Sequence, residues 1–545
     1  MRRITYSILT TAVLTYCSYA QWSTDPTNNL IVGYGLLPEI ASDSAGGCYI
    51  TYEQNLGYPR RLVLERLDRY GYKPWGTSIR ILGELPEQWF AKITEDGRGG
   101  VLIAYSDDSI AQIGGTFRIR VQRVDSSGNL LWGATGVRVS ISETNQDQQA
   151  IVPDGEGGCI VAWVDTMGDL RINRIDSLGT RLWGDSGRYV WNSPERPLMI
   201  SDGQKGVIMI FGASRIQRFD ALGNGLWGPS GVQQDQIGIQ RIAPDGYSGL
   251  VIAGMKYLDY NNGDPYWRAT CQRVDSSGVI LWGNDGIILE DSLQSTGLNP
   301  PWVVIEANQD GGATIAWGKR ARPNIMRTFT QRVRESGESV FQDGAIQVST
   351  VDSTSMATWA VFTSIEDSKI YISTDSRYRN SIVAQRIDTA GVRLWDTADV
   401  TLNVPVFSDA RASTDCRGGA IVVGFHQFDF SIRALQVSKN GNLGEVITSI
   451  ENLVLEIPQQ LYLYQNYPNP FNPTTIIQFD IPSESWVKLN VYNMLGQQIQ
   501  TLVNDTKMPG KHSVSFNALR IPSGVYLYKL ETKNSILSRK LTILK

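Results

Sequence analysis

Short apolar runs alternate with glycine-rich turns along most of the chain. The runs include CYITY (48–52), VLIAY (101–105), CIVAW (159–163), VIMIF (207–211) and AIVVG (420–424). Apolar side chains at successive positions indicate strands that are covered on both faces. The Asp-Gly and Gly-Gly pairs before these runs allow the positive φ of tight hairpin turns. The pattern therefore predicts an all-β fold.

A second motif, Arg-x-Asp-x-x-Gly-x-x-x-Trp, follows each apolar run. Six intact copies are RLDRYGYKPW (66–75), RVDSSGNLLW (123–132), RIDSLGTRLW (174–183), RFDALGNGLW (218–227), RVDSSGVILW (273–282) and RIDTAGVRLW (386–395). Weaker copies are RVRESGESVF (332–341) and QVSKNGNLGE (436–445). Their starting residues lie 44 to 59 positions apart, which is the spacing of a repeat architecture.

Each repeat provides four short strands, because the two turn motifs divide it into segments of hairpin length. About eight such repeats predict a β-propeller of eight blades, with seven as the alternative count. An array of β-sandwiches is the competing fold. Residues 22–32 resemble a fourth strand with no partners before it, so we expect the N-terminus to complete the last blade. The recurring Trp should pack between neighbouring blades.

The pattern changes after residue 450, where a linker-like segment (451–461) precedes a series of alternating strands and turns. We expect a small Ig-like β-sandwich here. The segment contains Asn-Tyr-Pro-Asn-Pro-Phe-Asn-Pro (466–473), Val-Tyr-Asn-Met-Leu-Gly (491–496), Pro-Ser-Gly-Val-Tyr (522–526) and a basic-apolar ending. Residues 462–545 thereby resemble the type A C-terminal sorting domains of the type IX secretion system.

This resemblance implies export through the type IX secretion machinery, with the chain secreted or attached to the outer cell surface. It also implies a sorting role for the motif residues of this segment. These are Asn466, Pro468, Asn469, Pro470, Phe471, Asn472, Pro473, Gly496, Gly524, Tyr526, Lys540 and Lys545.

The N-terminus has the features of a secretory signal peptide over residues 1–20. Arg2 and Arg3 precede a moderately apolar stretch, and Ser18-Tyr19-Ala20 is a small-x-small cleavage site. The predicted organisation is a signal peptide (1–20), a β-propeller (21–450), a linker (451–461) and the C-terminal domain (462–545). No later stretch has the length and apolarity of a membrane-spanning helix.

Composition excludes several classes of function. The net charge of −4 gives no basic excess, so a nucleic-acid partner is not expected. With only His426 and His512 in the chain, we expect no Ser-His-Asp triad, no metal site and no cofactor. We interpret the Asp of each repeat as a turn former. After signal removal, Cys48, Cys159, Cys271 and Cys416 remain, and we expect free, buried thiols.

The connections between second and third strands vary most in length, and variable loops on a rigid ring can form a recognition surface. The fifth repeat has the longest one, over residues 255–268, which is rich in aromatic and acidic residues. The candidate ligand-binding residues are Tyr257, Asp259, Tyr260, Asp264, Tyr266, Trp267, Arg268, Arg320, Arg377, Tyr378 and His426.

These features favour a secreted or surface propeller that binds a protein or glycan and catalyses nothing. A glycan-active enzyme on the same propeller, of the glycoside hydrolase or sialidase type, is one alternative, because two carboxylates could converge from different blades. A structural surface protein is another. Acidic residues clustered with arginines at one channel mouth would favour the enzyme, and unpaired aromatics and amides there would favour the binding protein.

Overall fold

A computed structural model gives the architecture, and every regular element in the described part of the chain is a β-strand. The chain divides into two compact units, Met1–Glu445 and Val446–Lys545. The described residues are 22–54, 60–76, 78–80, 87–108, 116–212, 214–261, 264–289, 294–295, 302–308, 311–322, 325–341, 344–349, 358–360, 368–375, 381–395, 399–403, 407–444, 460–466, 469, 471, 474–483, 485–507, 510–518, 521–533 and 535–543. The predicted signal peptide lies outside them.

The first half of the first unit contains a closing strand and four blades. The closing strand is β1 (Leu30–Tyr34). Blade one is β2 (Leu36–Ser42), β3 (Cys48–Gln54), β4 (Arg61–Leu67) and β5 (Ile79–Arg80). Blade two is β6 (Glu87–Glu95), β7 (Val101–Asp108), β8 (Phe117–Val124) and β9 (Val137–Arg138). Blade three is β10 (Gln146–Pro153), β11 (Cys159–Asp165), β12 (Asp169–Ile175) and β13 (Arg188–Asn192). Blade four is β14 (Leu198–Ser201), β15 (Val207–Phe211), β16 (Arg215–Phe219) and β17 (Val232–Gln233).

Four more blades follow. Blade five is β18 (Gly238–Pro244), β19 (Leu250–Asn261), β20 (Asp264–Val274) and β21 (Ile287–Ile288), with β22 (Gln294–Ser295) pairing beside β20. Blade six is β23 (Val303–Ala307), β24 (Ala313–Arg322), β25 (Ile325–Val333) and β26 (Ile346–Gln347). Blade seven is β27 (Thr358–Ala360), β28 (Ser368–Asp375), β29 (Ser381–Asp388) and β30 (Val400–Asn403). Blade eight is β31 (Phe407–Thr414), β32 (Ala420–His426), β33 (Ser431–Val437) and β1.

The strand pairing confirms an eight-bladed propeller. Each blade is an antiparallel sheet in sequence order, and β1 pairs with β33 as the fourth strand of blade eight. The first strands of successive blades contact one another around the ring, with β24 making the contact between blades six and seven. The first strands therefore surround the central channel. Because strand direction alternates, the first strands begin at the face of the ring that carries the second-to-third connections.

An aromatic ring from each blade packs on the next blade, and this contact repeats around the whole ring. A Cβ built on Gly223, for example, would lie 2.8 Å from the Trp183 ring, so only glycine fits there. The pairs are Trp75–Gly128, Trp132–Gly179, Trp183–Gly223, Trp227–Gly278, Trp282–Gly337, Phe341–Gly391, Trp395–Gly441 and Trp22–Gly71. Each of the seven tryptophans also donates its Nε1–H to a carbonyl of the next blade at 2.8–3.1 Å.

The Arg and the first-turn Asp of the repeat form a buried ion pair inside each of five blades. Their carboxylate–guanidinium distances are 2.8–3.0 Å in Arg66–Asp43, Arg123–Asp96, Arg174–Asp154, Arg218–Asp202 and Arg273–Asp245. The other oxygen of each Asp accepts two turn amides, as Asp43 does from Ala45 and Gly47. These bonds satisfy a charge that would be costly to bury alone.

The Asp of the second turn is a turn former, as the repeat predicts. Asp125 Oδ1 accepts the amides of Ser127 and Asn129 at 2.9 and 2.8 Å. Asp176, Asp220, Asp275 and Asp388 make the same pair of bonds in their own turns. Within the described residues, no group of three or more His, Cys, Asp or Glu residues is placed to hold a metal ion.

The second unit is a β-sandwich. Its strands are β34 (Tyr462–Leu463), β35 (Thr474–Ile481), β36 (Ser485–Tyr492), β37 (Gln498–Lys507), β38 (Gly510–Asn517), β39 (Gly524–Thr532) and β40 (Ile536–Ile543). One sheet has the order β34-β35-β38, and the other has the order β37-β36-β39-β40. A separate apolar core that includes Phe479, Phe516 and Tyr528 lies between them.

The cysteine prediction is correct for three residues and wrong for one. All four are free, and Cys48, Cys159 and Cys271 are fully buried, but Cys416 is exposed. The difference has a local cause, since Cys416 occupies the turn after Asp415 with φ 54°. Its Sγ lies 3.2 Å from the Ser42 hydroxyl. Burial raises the pKa of the Cys48 and Cys159 thiols well above the usual value.

Brief treatment of the native protein with a maleimide should therefore label Cys416 and leave Cys48, Cys159 and Cys271 unmodified, because a buried neutral thiol is a poor nucleophile. Peptide mass spectrometry before and after denaturation measures this directly. Labelling of Cys48 or Cys159 at the Cys416 rate in native protein would contradict the packing described here.

Substitutions of Trp183 should separate its packing from its hydrogen bond. Trp183→Ala should lower the free energy of unfolding by about 3–5 kcal/mol, as expected for a large ring removed from a core. Trp183→Phe should cost only about 1 kcal/mol, since it keeps a ring and loses one hydrogen bond, as Phe341 does naturally in blade six. Urea unfolding followed by circular dichroism measures both. Leu178→Ala is the control, because that side chain is 84% exposed.

Candidate functional site

The first strands can be aligned by counting back from the residue that begins the turn at their end. In each case its backbone amide donates to the carbonyl of the glycine four positions later. These residues are Asp43, Asp96, Asp154, Asp202, Asp245, Asn308 and Asp415. The residue four positions earlier is Glu39, Lys92, Ala150, Leu198, Arg241, Val304 or Arg411. Charged residues therefore occupy this position in blades one, two, five and eight.

The residue six positions before the turn has an unusual backbone in four consecutive blades. Asp409, Leu37, Phe90 and Gln148, from blades eight, one, two and three, have φ between 48° and 55°. Each lies at a β-bulge of its first strand. All four side chains are exposed, with Phe90 at 51% and Leu37 at 37%. We call this set the mouth residues.

Side chains of neighbouring blades hold the Phe90 bulge in place. The buried Glu53 of blade one accepts the Phe90 amide at 2.8 Å and is itself paired with Arg60 at 3.1 Å. Gln149 of blade three, also buried, donates to the Phe90 carbonyl. A backbone conformation that is unfavourable for a bulky residue is thus fixed from both sides.

A group of charged side chains lies below the mouth residues. Glu39 contacts the Lys92 ammonium with one carboxylate oxygen, and its other oxygen lies 3.7 Å from Arg411 Nε. These three residues come from blades one, two and eight, which are neighbours in the ring. The Glu39 carboxylate is therefore shared between two cations.

Electrostatic coupling extends across the channel. Burial lowers the pKa of Arg241, and the positive charge of Arg411 lowers it further. Burial also lowers the pKa of Arg196, while Glu39 and Asp147 act in the opposite direction. Arg241 and Arg411 belong to blades five and eight, which are not adjacent, so their guanidinium groups interact across the channel. Burial raises the pKa of Asp147.

Arg241 also stacks on an exposed aromatic ring. Its guanidinium carbon lies 5.3 Å from the centre of the Trp302 ring, and Trp302 is 41% exposed. The adjacent Gln240 accepts the Val303 amide at 3.0 Å, which fixes blade five against blade six. We define the channel site as the mouth residues together with Glu39, Lys92, Asp147, Arg196, Arg241, Arg411 and Trp302.

The channel site combines a rigid rim, exposed aromatic rings and partly exposed cations. Within the described residues, its four cations face two carboxylates in the channel, Glu39 and Asp147, and a third, Asp409, at the rim. Such a surface is suited to recognition of a polar ligand with an apolar face. Both carboxylate oxygens of Glu39 are already engaged, one by Lys92 and the other by Arg411.

The residues that the sequence suggested lie elsewhere. Residues 255–268 were predicted as a loop, but 255–261 and 264–268 instead extend the β19–β20 hairpin, with Lys256 opposite Arg268 and Tyr257 opposite Trp267. The loop prediction is wrong because this segment continues the strand pairing beyond the ring. Tyr257 packs edge-to-face on Trp267 with ring centres 5.2 Å apart, and Lys256 pairs with Asp285 at 2.7 Å.

Several predicted residues cannot be assigned to a site. The side chains of Asp259, Tyr260, Asp264, Tyr266 and Arg320 lie outside the described ones, as do the whole of Arg377 and Tyr378. His426 ends β32, where its Nδ1 lies 2.9 Å from Asp429 and its ring packs edge-to-face on Phe428. The described contacts do not join His426 to the 255–268 hairpin.

In the C-terminal sandwich, the motif residues attach the opening segment to the sheets. The amide of the buried Asn466 donates to the Tyr528 hydroxyl at 2.8 Å, and its side chain donates to Thr475 at 2.9 Å. Asn469 Oδ1 accepts the Thr542 amide at 2.9 Å. The Phe471 amide donates to the Thr542 carbonyl at 3.1 Å, and its ring is buried against Phe516.

The remaining motif residues have structural or surface positions. Gly496 lies in the β36–β37 turn with φ 79°, Gly524 begins β39, and the Tyr526 hydroxyl donates to the Pro522 carbonyl at 3.0 Å. Lys540 is exposed on β40. Pro468, Pro470, Asn472, Pro473 and Lys545 lie outside the described residues.

Comparison with known families identifies this second unit. Residues 465–544 match the family model described as the secretion system C-terminal sorting domain. A search of curated proteins gave no match. The resemblance inferred from the motifs is thus confirmed for the part of the chain that carries them.

Comparison with solved structures gives distant similarities. The chain is similar to the BP39L lectin from Burkholderia pseudomallei, with 12% identity, coverage of 67% of this chain and 98% of the lectin, and a TM-score of 0.39. It is similar to an endo-arabinase from Bacteroides thetaiotaomicron, with 12% identity, coverage of 57% and 97%, and a TM-score of 0.27. It is also similar to PorZ, a surface component of the type IX secretion system of Porphyromonas gingivalis, with 8% identity, coverage of 94% and 100%, and a TM-score of 0.16.

In the part of the chain that the structure describes, no helix is long and apolar enough to cross a membrane.

Proposed function

We propose that this chain, a β-propeller that carries a type IX C-terminal sorting domain and is secreted or attached to the cell surface, binds an extracellular ligand at the channel site and catalyses no reaction. The sorting domain assigns the chain to the type IX machinery and gives no information about the ligand. We also propose that residues 1–20 are a signal peptide for the preceding step across the inner membrane.

The backbone of the mouth residues is the observation that carries this proposal. A non-glycine residue in the left-handed region costs on the order of 1–3 kcal/mol, and such strain tends to collect at functional sites. On the opposite face of the ring, the first turns use Gly97, Gly155, Gly203 and Gly246 at φ 69–81°. Ser44, Lys205, Ser248 and Cys416 also have positive φ in turns of that face. The mouth residues differ because they lie at β-bulges within the first strands and include the bulky Leu37 and Phe90.

The rigid ring supports a recognition role. Its first strands are fixed by buried interblade contacts, so the mouth residues are already ordered before a ligand arrives. Phe90, Leu37 and Trp302 offer apolar surface beside the amide of Gln148. This combination suits the faces and hydroxyl groups of a glycan, or a polar protein surface.

A glycan-active enzyme is the second candidate, and two observations favour it. The first is that carboxylates cluster with arginines at one channel mouth, as expected of an enzyme. The second is the environment of one carboxyl group. Asp147 is a carboxyl group whose pKa burial raises, and it lies within electrostatic range of Arg196. A raised pKa makes a carboxyl group better suited to act as a general acid. The partner carboxylate would have to be Glu39 or Asp409, and Glu39 is already engaged by two cations.

The substitution Phe90→Gly tests the binding proposal. It removes a half-exposed ring and relieves the left-handed strain, so the free energy of unfolding should stay within about 1 kcal/mol of the parent value. Binding to any glycan that the parent recognises on a glycan array should fall about tenfold or more, because a stacking surface is lost.

The matched control is Ser44→Gly, which relieves the same type of strain, at φ 58°, on the opposite face of the ring. It should leave binding unchanged. Equal binding by Phe90→Gly and the parent protein would contradict the assignment of the mouth. Release of reducing sugar from a polysaccharide panel, lost in Asp147→Asn, would instead establish the enzyme.

A further inference from the structure

The channel cations are not fully paired with the carboxylates around them. Within the described residues, Glu39 neutralises Lys92 and part of the Arg411 charge, and Asp147 lies near Arg196. Among the described residues, Arg241 makes no ion pair with a carboxylate, and its Nη1 donates to the Gln240 carbonyl at 2.7 Å. Its remaining N–H groups are available to a ligand.

Arg241 and Arg411 occupy the same register position on the first strands of blades five and eight, which are three blades apart in the ring. Each is tethered at its base by a bond to the carbonyl of the residue before it, Gln240 at 2.7 Å and Ala410 at 3.0 Å. Both arginines lie on first strands that line the channel, so their like charges share it, and the repulsion between them is unfavourable. An anion between them would bond to both guanidinium groups and remove the repulsion.

We propose that the channel site recognises a glycan that carries an oxyanion, and that Arg241 of blade five and Arg411 of blade eight both bind its carboxylate or sulfate group. This inference rests on the proposed binding function and adds the chemical class of the ligand. Guanidinium groups suit this task because their planar N–H donors match the paired oxygens of such a group.

The aromatic residues beside the cations favour a glycan over an acidic peptide. Trp302 stacks on Arg241 and remains 41% exposed, so a sugar ring can pack on its free surface while its acidic substituent enters the channel. Phe90 offers a second exposed ring at the rim. Lys92 and Arg196 add positive charge around the same space, which would concentrate anions there.

The test compares oligosaccharides of equal length on the full chain by isothermal titration calorimetry. The probes are a galacturonate trisaccharide, a sulfated galactose trisaccharide and a neutral galactose trisaccharide, with a short poly-glutamate peptide as the protein-like anion. We expect one or both anionic sugars to bind, and their affinity to fall as salt is raised because the contact is ionic. Arg241→Gln and Arg411→Gln should each weaken this binding about tenfold or more.

Arg334→Gln is the matched control, since it removes the same charge from an exposed turn residue of blade six that pairs with Glu338 at 2.9 Å. It should not change the affinity. Circular dichroism of each variant verifies that the propeller is intact.

The outcomes separate this inference from the binding proposal. Equal affinity for neutral and anionic sugars would overturn the oxyanion inference and leave the binding function in place. Binding of poly-glutamate without any sugar would overturn the glycan class. Failure of every probe to bind, or anionic binding unaffected by both arginine variants, would overturn the inference at this site.

Discussion

The contact between an aromatic ring of one blade and a turn glycine of the next determines the architecture of this propeller. It occurs at all eight interfaces, and seven of the eight rings add a hydrogen bond from the indole to a carbonyl of the next blade. Trp22 supplies the eighth ring and contacts Gly71 of blade one. The N-terminal segment therefore completes blade eight and closes the propeller. The buried Arg–Asp pairs then fix the two turns within a blade relative to each other.

A ring fixed in this way makes the channel site possible. The mouth residues can keep an unfavourable backbone only because neighbouring blades hold it, as Glu53 and Gln149 hold Phe90. The same rigidity holds Arg241 and Arg411 on first strands that line the channel. The strain and the unbalanced charge are both costs to the folded state, and both lie on one face of the molecule. On the opposite face, the left-handed residues are glycines together with Ser44, Lys205, Ser248 and Cys416, and they lie in hairpin turns rather than within strands.

The sequence predicts the fold well because the fold depends on side chains that recur at constant spacing. Six intact copies of the Arg-x-Asp-x-x-Gly-x-x-x-Trp motif and the weaker copy at 332–341 supply the aromatic rings of seven interfaces. Trp22 supplies the ring of the eighth. The channel site was missed because its residues, such as Glu39, Arg241 and Arg411, do not repeat. Counting back from the turn Asp places them in register, but no sequence signal marks the bulge at Phe90. The 255–268 segment was predicted as a loop because of its aromatic and acidic composition. That composition did not indicate that its described residues continue the β19–β20 pairing.

Closure of the ring by Trp22 is the most direct test of this account. Trp22→Ala should lower the free energy of unfolding by about 3–5 kcal/mol and speed amide hydrogen exchange along the β1–β33 pairing. Tyr34→Ala is the control, since that ring lies in the same segment and is 58% exposed. If Trp22→Ala leaves both stability and exchange at the level of Tyr34→Ala, the aromatic contact does not close the ring and the account is wrong.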